Sequence, residues 1–260
     1  MVVFFDIDGT LIDNATQIIP ASAARAIGQL LERGHIPVVN TGRPYTHLDP
    51  RVVQLPFRGY VCGCGMELRL DGERIFYAHP SRELCRFAAE TVAEYGMEAL
   101  FEADDGSIVL SSPNALHPAL VKECKQMEQK GFSVHLISEH PDFMKLVAWD
   151  GPNSRREDYI RAISTRFTLI YREQGMLEHV MPECSKAEGM LRLLEHLGIA
   201  PEDTLTIGDS TNDLPMFSVA GHTVCMGGGM EELKQQAEYI TAPVLEDGIE
   251  QALRHYGLLG

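Results

Sequence analysis

The sequence predicts an α/β protein, a doubly wound parallel sheet interrupted by an inserted α+β domain. Three observations carry that prediction. Short apolar runs at Val2–Phe5 and Ile36–Val39, with a further strand at 204–207, have the look of strands buried on both faces of a parallel sheet. Helical spacing of apolar residues fills the intervals between such runs at both ends of the chain. From about 82 to 181 the rhythm changes to alternating strands among helices, which marks a segment of a different class. The two ends together make a Rossmann-like core, residues 1–81 and 182–260, around an insert at 82–181.

Taken in order, the strand at Val2–Phe5 is followed by a polar loop, and Pro20 can open a helix. Ala23, Ile27, Leu30 and Leu31 recur at helical spacing until Gly34 closes the segment. Ile36–Val39 is the next strand and runs into Asn40-Thr41-Gly42-Arg43. Strand, helix, strand implies a right-handed crossover within one parallel sheet. Glu67–Leu70 and Arg74–Tyr77 flank Asp71-Gly72, a hairpin signal. The insert reads helix, strands, helix, strand, helix, strand, with Ser107–Leu110 and Phe143–Trp149 among its strands, and its size of about 100 residues is that of a domain. After it, a helix at 185–197 places Met190, Leu191, Leu194 and Leu197 on one face and ends at Gly198. The strand at 204–207 runs into Gly208-Asp209, and a helix near 212–220, a strand near 222–226 and helices from Met230 and from Glu246 complete the core.

Of 260 residues, 45% are hydrophobic and 23% charged, the balance of an ordinary globular chain. No apolar run approaches the roughly 18 residues that span a bilayer. The start lacks a basic n-region, so a cytoplasmic location is expected. The net charge of −15 is spread along the chain and repels both nucleic acid and anionic membranes, so neither is an expected partner; a monomer or small homo-oligomer is expected. An anionic ligand must then be held by a local cation. Six scattered cysteines, of which only Cys62-Gly63-Cys64 is close-spaced, are expected to be reduced thiols.

The segment that carries most chemistry is Asp6-Ile7-Asp8-Gly9-Thr10, directly after the first buried strand, where ligands of open α/β sheets bind. Two anions so close in a cleft call for a cation between them. An EF-hand loop does not fit, because Leu11 and Ile12 occupy its ligand region and a buried strand precedes it. The Thr41 hydroxyl, the Gly42 region's backbone amides and the Arg43 guanidinium suit a phosphate. Ser185-Lys186 opens a helix, where the dipole also favours an anion; singly, these residues read as an N-cap and a solvated lysine. Gly208-Asp209 and Asn212-Asp213 add two carboxylates and an amide after another buried strand. Asp6, Asp8, Asp209 and Asp213 would thus place four carboxylates at one sheet edge, an arrangement suited to magnesium.

In this order the motifs resemble the haloacid dehalogenase-like phosphatases: Asp6-x-Asp8-Gly-Thr10, Thr41-Gly42-Arg43, Lys186, and Gly208-Asp209-x-x-Asn212-Asp213. The stretch Gly208–Phe217, the run from Ala220 to Gly227 and Glu246-Asp247-Gly248 look like the Cof-type subfamily, in which an α/β cap is inserted between the second and third motifs. The resemblance implies a magnesium-dependent phosphatase acting on small phosphorylated metabolites such as sugar phosphates or phosphorylated cofactors. It implies Asp6 as nucleophile, Asp8 as acid and base, and magnesium held by Asp6, Asp209 and the backbone carbonyl of Asp8. It further implies Lys186 and Thr41 around the phosphoryl oxygens, Asn212 on the phosphate and Asp213 supporting the metal from behind. Arg43 either binds substrate or pairs with a carboxylate. Cys64-Gly65-Met66 and Met226-Gly-Gly-Gly229 depart from the usual Asn-Gly-Ala and Met-Gly-Asn-Ala. A phosphomutase on the same scaffold and a non-catalytic phosphate-binding protein are the alternatives. His117, Glu102 and Arg172 of the insert are placed by no motif, and a histidine there is expected to be structural or exposed.

Overall fold

Alternate residues of the first strand point to two different apolar cores, which is why its sequence is apolar without a break. The computed structural model describes residues 1–138 and 141–260, with Glu173 described by its backbone alone. The chain forms two units, Met1–Tyr77 with Cys184–Gly260, and Ala78–Glu183. The first unit begins with β1 (Val2–Phe5), α1 (Ala21–Glu32), β2 (Ile36–Asn40), the one-turn α2 (Pro50–Val53), β3 (Gly59–Cys62), β4 (Glu67–Leu70) and β5 (Glu73–Tyr77). The second unit holds α3 (Arg82–Glu94), β6 (Glu98–Glu102), β7 (Ile108–Leu110), α4 (Pro118–Gln129), β8 (Val134–Leu136), β9 (Lys145–Trp149), α5 (Arg156–Ile163), β10 (Thr168–Tyr171) and β11 (Leu177–Val180). The first unit resumes with α6 (Lys186–Leu197), β12 (Thr204–Gly208), α7 (Leu214–Phe217), β13 (His222–Cys225), α8 (Glu231–Lys234), β14 (Tyr239–Ile240) and α9 (Gly248–His255).

The large sheet has the order β14-β13-β12-β1-β2-β3-β4-β5, with its first six strands parallel and the β4–β5 hairpin antiparallel at one edge. Val3 and Phe5 pack with Ala23, Ala26, Ile27 and Leu30 of α1 and with Ile249 and Leu253 of α9. Val2 and Phe4 pack on the other face with Met190, Leu193 and Leu194 of α6 and with Met216 and Phe217. Helices therefore cover both faces, as the doubly wound pattern requires. The hairpin turns at Asp71 and Gly72, both at positive φ, the conformation of a two-residue turn that matches strand twist.

The second unit is a six-stranded sheet, β10-β11-β9-β6-β7-β8, antiparallel except for the β7–β8 pair. Cys85 and Val92 of α3 and Tyr159 and Ile163 of α5 pack with Ala99, Phe101, Leu146 and Leu177. Leu120, Cys124 and Met127 of α4 belong to a separate cluster with Leu100, Val147 and Trp149. His117 stacks on Trp149 at 5.9 Å between ring centroids.

Several local expectations change. Leu193, not Leu191, completes the buried face of α6, and Leu31 is exposed while Ala26 is buried in α1. In each case the true face follows the i, i+3, i+4, i+7 spacing and the misassigned leucine sits at its border. The helix near 212–220 is a 3-10 turn at Thr211–Asp213 followed by only four residues of α7. The described cysteines are all free and buried, and no described helix is long and apolar enough to cross a membrane.

Candidate active site

Phe5 is in register with Val39 on one side and Ile207 on the other, so the parallel strands β1, β2 and β12 end at one level. Their loops emerge on the same edge of the sheet. Asp6 is the first residue past β1, almost wholly buried, and its amide donates to the Ile207 carbonyl at 3.0 Å. The chain then turns tightly: the Ile7 carbonyl accepts from Leu11 and Ile12, and the Gly9 amide donates to the Ile12 carbonyl at 2.8 Å. Gly9 has φ +82°, and a Cβ at that position would collide with the Asp209 carboxylate. The glycine thus brings the β1 loop into contact with the β12 loop.

Lys186 enters from the other direction. Ser185 caps α6 by accepting from the Glu188 amide at 3.0 Å, so Lys186 is the first helical residue. The helix lies close against the loop after β3, because Gly189 has no side chain; a Cβ there would run into Val61 and come within 2.7 Å of the Gly65 Cα. The lysine is fully buried, and its Nζ lies 2.6 Å from Asp6 Oδ1 and 2.6 Å from Asp213 Oδ1. This excludes the solvated-lysine reading of residue 186. Asp213 is itself completely buried, its second oxygen accepting from the Asp209 and Ser210 amides at 3.0 and 3.1 Å. Thr10 donates to Asp209 Oδ1 at 3.1 Å.

Asp6, Asp209 and Asp213 each offer a carboxylate oxygen, and these atoms lie within 4.8 Å of one another. One ammonium leaves most of that negative charge uncompensated. Burial, with added repulsion from Asp213 and Asp8, raises the Asp6 carboxyl to about 6 against the pull of Lys186. Burial and the charges of Asp6 and Asp213 push Asp209 up to about 8. Burial works against the charge on Lys186, but Asp213 and Asp6 outweigh it and hold the ammonium well above its ordinary value. Three carboxylate oxygens this close, two of them on carboxyls that resist ionising, fit a hard divalent cation, which would supply the missing positive charge.

Asp8 sits differently from its neighbours. Its carboxylate is not in that cluster; both oxygens accept from Arg43, Nε at 2.7 Å and Nη2 at 2.6 Å, with the pair partly exposed. Of the two readings open for Arg43, the described contact is the carboxylate pair. Of the four carboxylates expected at this sheet edge, three lie together and the fourth, Asp8, is held in a fork by Arg43. Thr41 is buried as the first residue past β2, its hydroxyl oxygen accepting from the Arg43 amide at 3.2 Å, which leaves the hydroxyl proton available; Gly42 forms the bend between them. The Asn212 carboxamide oxygen is held by Ser210, leaving its NH₂ as the donor. Two contacts escaped the sequence reading: the bond from Thr10 to Asp209, although Thr10 belongs to the first motif, and the direct bridge from Asp213 to Lys186.

The chain matches the sequence profile of haloacid dehalogenase-like hydrolases over residues 3–253. It is 28% identical over 260 residues to the putative phosphatase YkrA of Bacillus subtilis, covering 99% of this chain and 98% of that one. It is 25% identical over 261 residues to the HMP-PP phosphatase of Serratia proteamaculans, covering 97% and 92%. Among solved structures, that of the subclass IIB sugar phosphatase BT4131 superposes with a TM-score of 0.84 at 25% identity over 99% of each chain. The fold, the order of the motifs and these likenesses agree: the chain belongs to the haloacid dehalogenase-like hydrolases.

Proposed function

We propose that the chain is a magnesium-dependent phosphatase that hydrolyses small phosphorylated metabolites through an aspartyl-phosphate on Asp6. The observation that carries this reading is the buried ammonium of Lys186 bridging Asp6 and Asp213, beside the Asp209 carboxylate. An ammonium spending its charge there keeps one carboxylate oriented at the sheet edge and offers positive charge to an incoming phosphoryl group. The substrate class rests on relatives named as a sugar phosphatase and an HMP-PP phosphatase.

Magnesium would be held by Asp6 and Asp209 with the Asp8 carbonyl, and when bound supplies charge neutralisation between nucleophile and phosphate. Asp6 attacks phosphorus, and the P–O bond to the substrate oxygen breaks as the new one forms. Asp8 donates its proton to the departing alkoxide, giving a neutral alcohol. Asp8, now a carboxylate, takes a proton from the water that attacks the aspartyl-phosphate, so Asp6 leaves as a carboxylate and inorganic phosphate is released. One oxygen of Asp8 must leave the Arg43 fork to carry that proton. The Thr41 hydroxyl, the Asn212 amide and Lys186 steady the phosphoryl oxygens, and Asp213 holds Lys186. Residues 82–181 act as a cap that selects the leaving group, and the enzyme works in the cytoplasm on dissolved substrates.

Phosphate release from a panel of sugar phosphates and phosphorylated cofactors tests this reading. Turnover should need magnesium, vanish with a chelator and be absent from Asp6→Asn. Turnover that survives exhaustive chelation, or that Asp6→Asn retains, contradicts it.

A further inference from the structure

Asn40 ends β2 directly before Thr41 and is completely buried. Its amide nitrogen lies 3.6 Å from Met216 Sδ, in the apolar layer that holds Val38 and Met190. A carboxamide there is unfavourable unless both of its ends are bonded. Among the described residues only one is: Nδ2 donates to the backbone carbonyl of Lys186 at 3.0 Å, while Oδ1 has no partner. The orientation follows from the contact, since the reversed amide would set an oxygen against the carbonyl oxygen.

The Lys186 carbonyl does not depend on that bond. As the first residue of α6, it accepts the helical hydrogen bond from the Met190 amide. Asn40 therefore adds a bond the helix can spare and leaves an acceptor buried that the core would be better without. What the bond does is join the end of β2 to the backbone of the residue whose ammonium bridges Asp6 and Asp213. The Ser185 cap acts within the helix, and the Gly65–Gly189 approach holds its next turn. Asn40 alone among these ties a core strand to the lysine itself.

We propose that Asn40 is a positioning residue: it fixes the start of α6 against β2 and so sets where Lys186 Nζ stands between Asp6 and Asp213. Its catalytic consequence rests on the phosphatase reading above; the placement of the lysine does not. A side chain that serves the site at the expense of the core should be removable with a gain or no change in stability and a loss in rate.

The test compares Asn40→Leu, which keeps the branched shape without polar atoms, and Asn40→Asp, which keeps the shape but faces the Lys186 carbonyl with an oxygen. Asn40→Leu should melt at or above the wild-type temperature, with kcat lowered about tenfold and KM changed much less, for alkyl and aryl phosphates alike. Asn40→Asp should lose at least as much kcat. The ¹⁵N signal of the Lys186 ammonium should move in Asn40→Leu, a readout that needs no substrate. A folded Asn40→Leu with wild-type kcat and an unmoved lysine signal overturns the inference. So does an Asn40→Leu that fails to fold, since the residue would then serve the core. Wild-type turnover that does not depend on Asp6 sinks the phosphatase reading instead, and the lysine signal still decides the role of Asn40.

Discussion

Lys186 holds its charge where water does not reach, and its partners decide what removing it would do. Lys186→Met leaves Asp6 and Asp213 buried without a counterion, so it should destabilise the first unit by roughly 3–5 kcal/mol as well as abolish turnover; a denaturant titration with an unchanged midpoint contradicts the bridge. Asp6 and Asp209, raised to about 6 and about 8, hold protons that a divalent cation must displace. Magnesium affinity should therefore climb as pH rises from about 6 through 8, with proton release detectable by calorimetry in buffers of different ionisation heat. Affinity that is flat with pH would show that these carboxylates do not take the metal. The Arg43 fork gives a third test. Arg43→Lys replaces two fixed N–H bonds with one mobile ammonium, so Asp8 loses its orientation, and turnover of alkyl phosphates should fall about tenfold while aryl phosphates fall less. Equal losses for the two substrates argue against a proton-handling role for the paired Asp8. Asp6 and Asp209 were legible because each directly follows a buried strand. The burial of Lys186 was not, since its partner Asp6 lies 180 positions away and a lysine after a helix cap is most often solvated.

At the scale of elements, strands were read more accurately than helix faces. A strand buried on both sides is apolar without interruption, so β1 and β2 stand out with nothing to misphase. Helix faces depend on phase, and in α1 and α6 a leucine at the border of the stripe looks the same in sequence as one at its centre. The short α7 escaped because Gly208–Asp213 spends its residues on loop contacts before the helix starts. Strand β11 carries information that composition hides: Glu178 and His179 are both buried in it. Burial alone would raise the Glu178 carboxyl, but Lys145 at 2.6 Å and Arg172 at 2.7 Å outweigh it and hold it down at about 2. Burial pushes His179 down to about 3; its ring accepts from the Tyr159 hydroxyl at 2.7 Å with the other nitrogen toward the Leu146 carbonyl. Both groups sit below their unfolded values, so their stabilisation is complete above those values and drains as pH falls, from about 6.5 to 3 for His179 and from about 4.5 to 2 for Glu178. The losses are on the order of 5 and 3 kcal/mol. In Glu178→Gln the acid-induced loss of structure should begin at higher pH, and an unchanged acid transition would remove Glu178 from this account.

Over the whole molecule the buried carboxyls Asp6 and Asp209 of the first unit and the buried Glu178 and His179 of the second respond to acid in opposite senses. The metal-free first unit carries Asp6 and Asp209 above their unfolded values, so protonation as pH falls from about 8 relieves it rather than harming it. Glu178 and His179 of the second unit only lose stabilisation as pH falls. Trp149 is the sole tryptophan of the chain and lies buried in the second unit. Its fluorescence should therefore shift to the red on acidification before far-UV circular dichroism reports loss of the large sheet; coincident transitions contradict independent units. The change of hydrophobic period within the chain is what set residues 82–181 apart in the sequence, while the hairpin β4–β5, already counted with residues 1–81, did not show by its local pattern that it pairs onto the parallel strands through β3. The central claim, a covalent intermediate on Asp6 handled by Asp8, belongs to the assembled protein and is tested most directly in the Asp8→Ala variant with p-nitrophenyl phosphate. That leaving group needs little protonation, so the first step proceeds, while the second lacks its base and slows by about 10²–10⁴-fold. Asp8→Ala should give a burst of nitrophenol equal to the enzyme concentration and a phosphoenzyme that can be trapped, both absent in Asp6→Asn. Steady turnover with no burst and no phosphoenzyme in Asp8→Ala would contradict the claim.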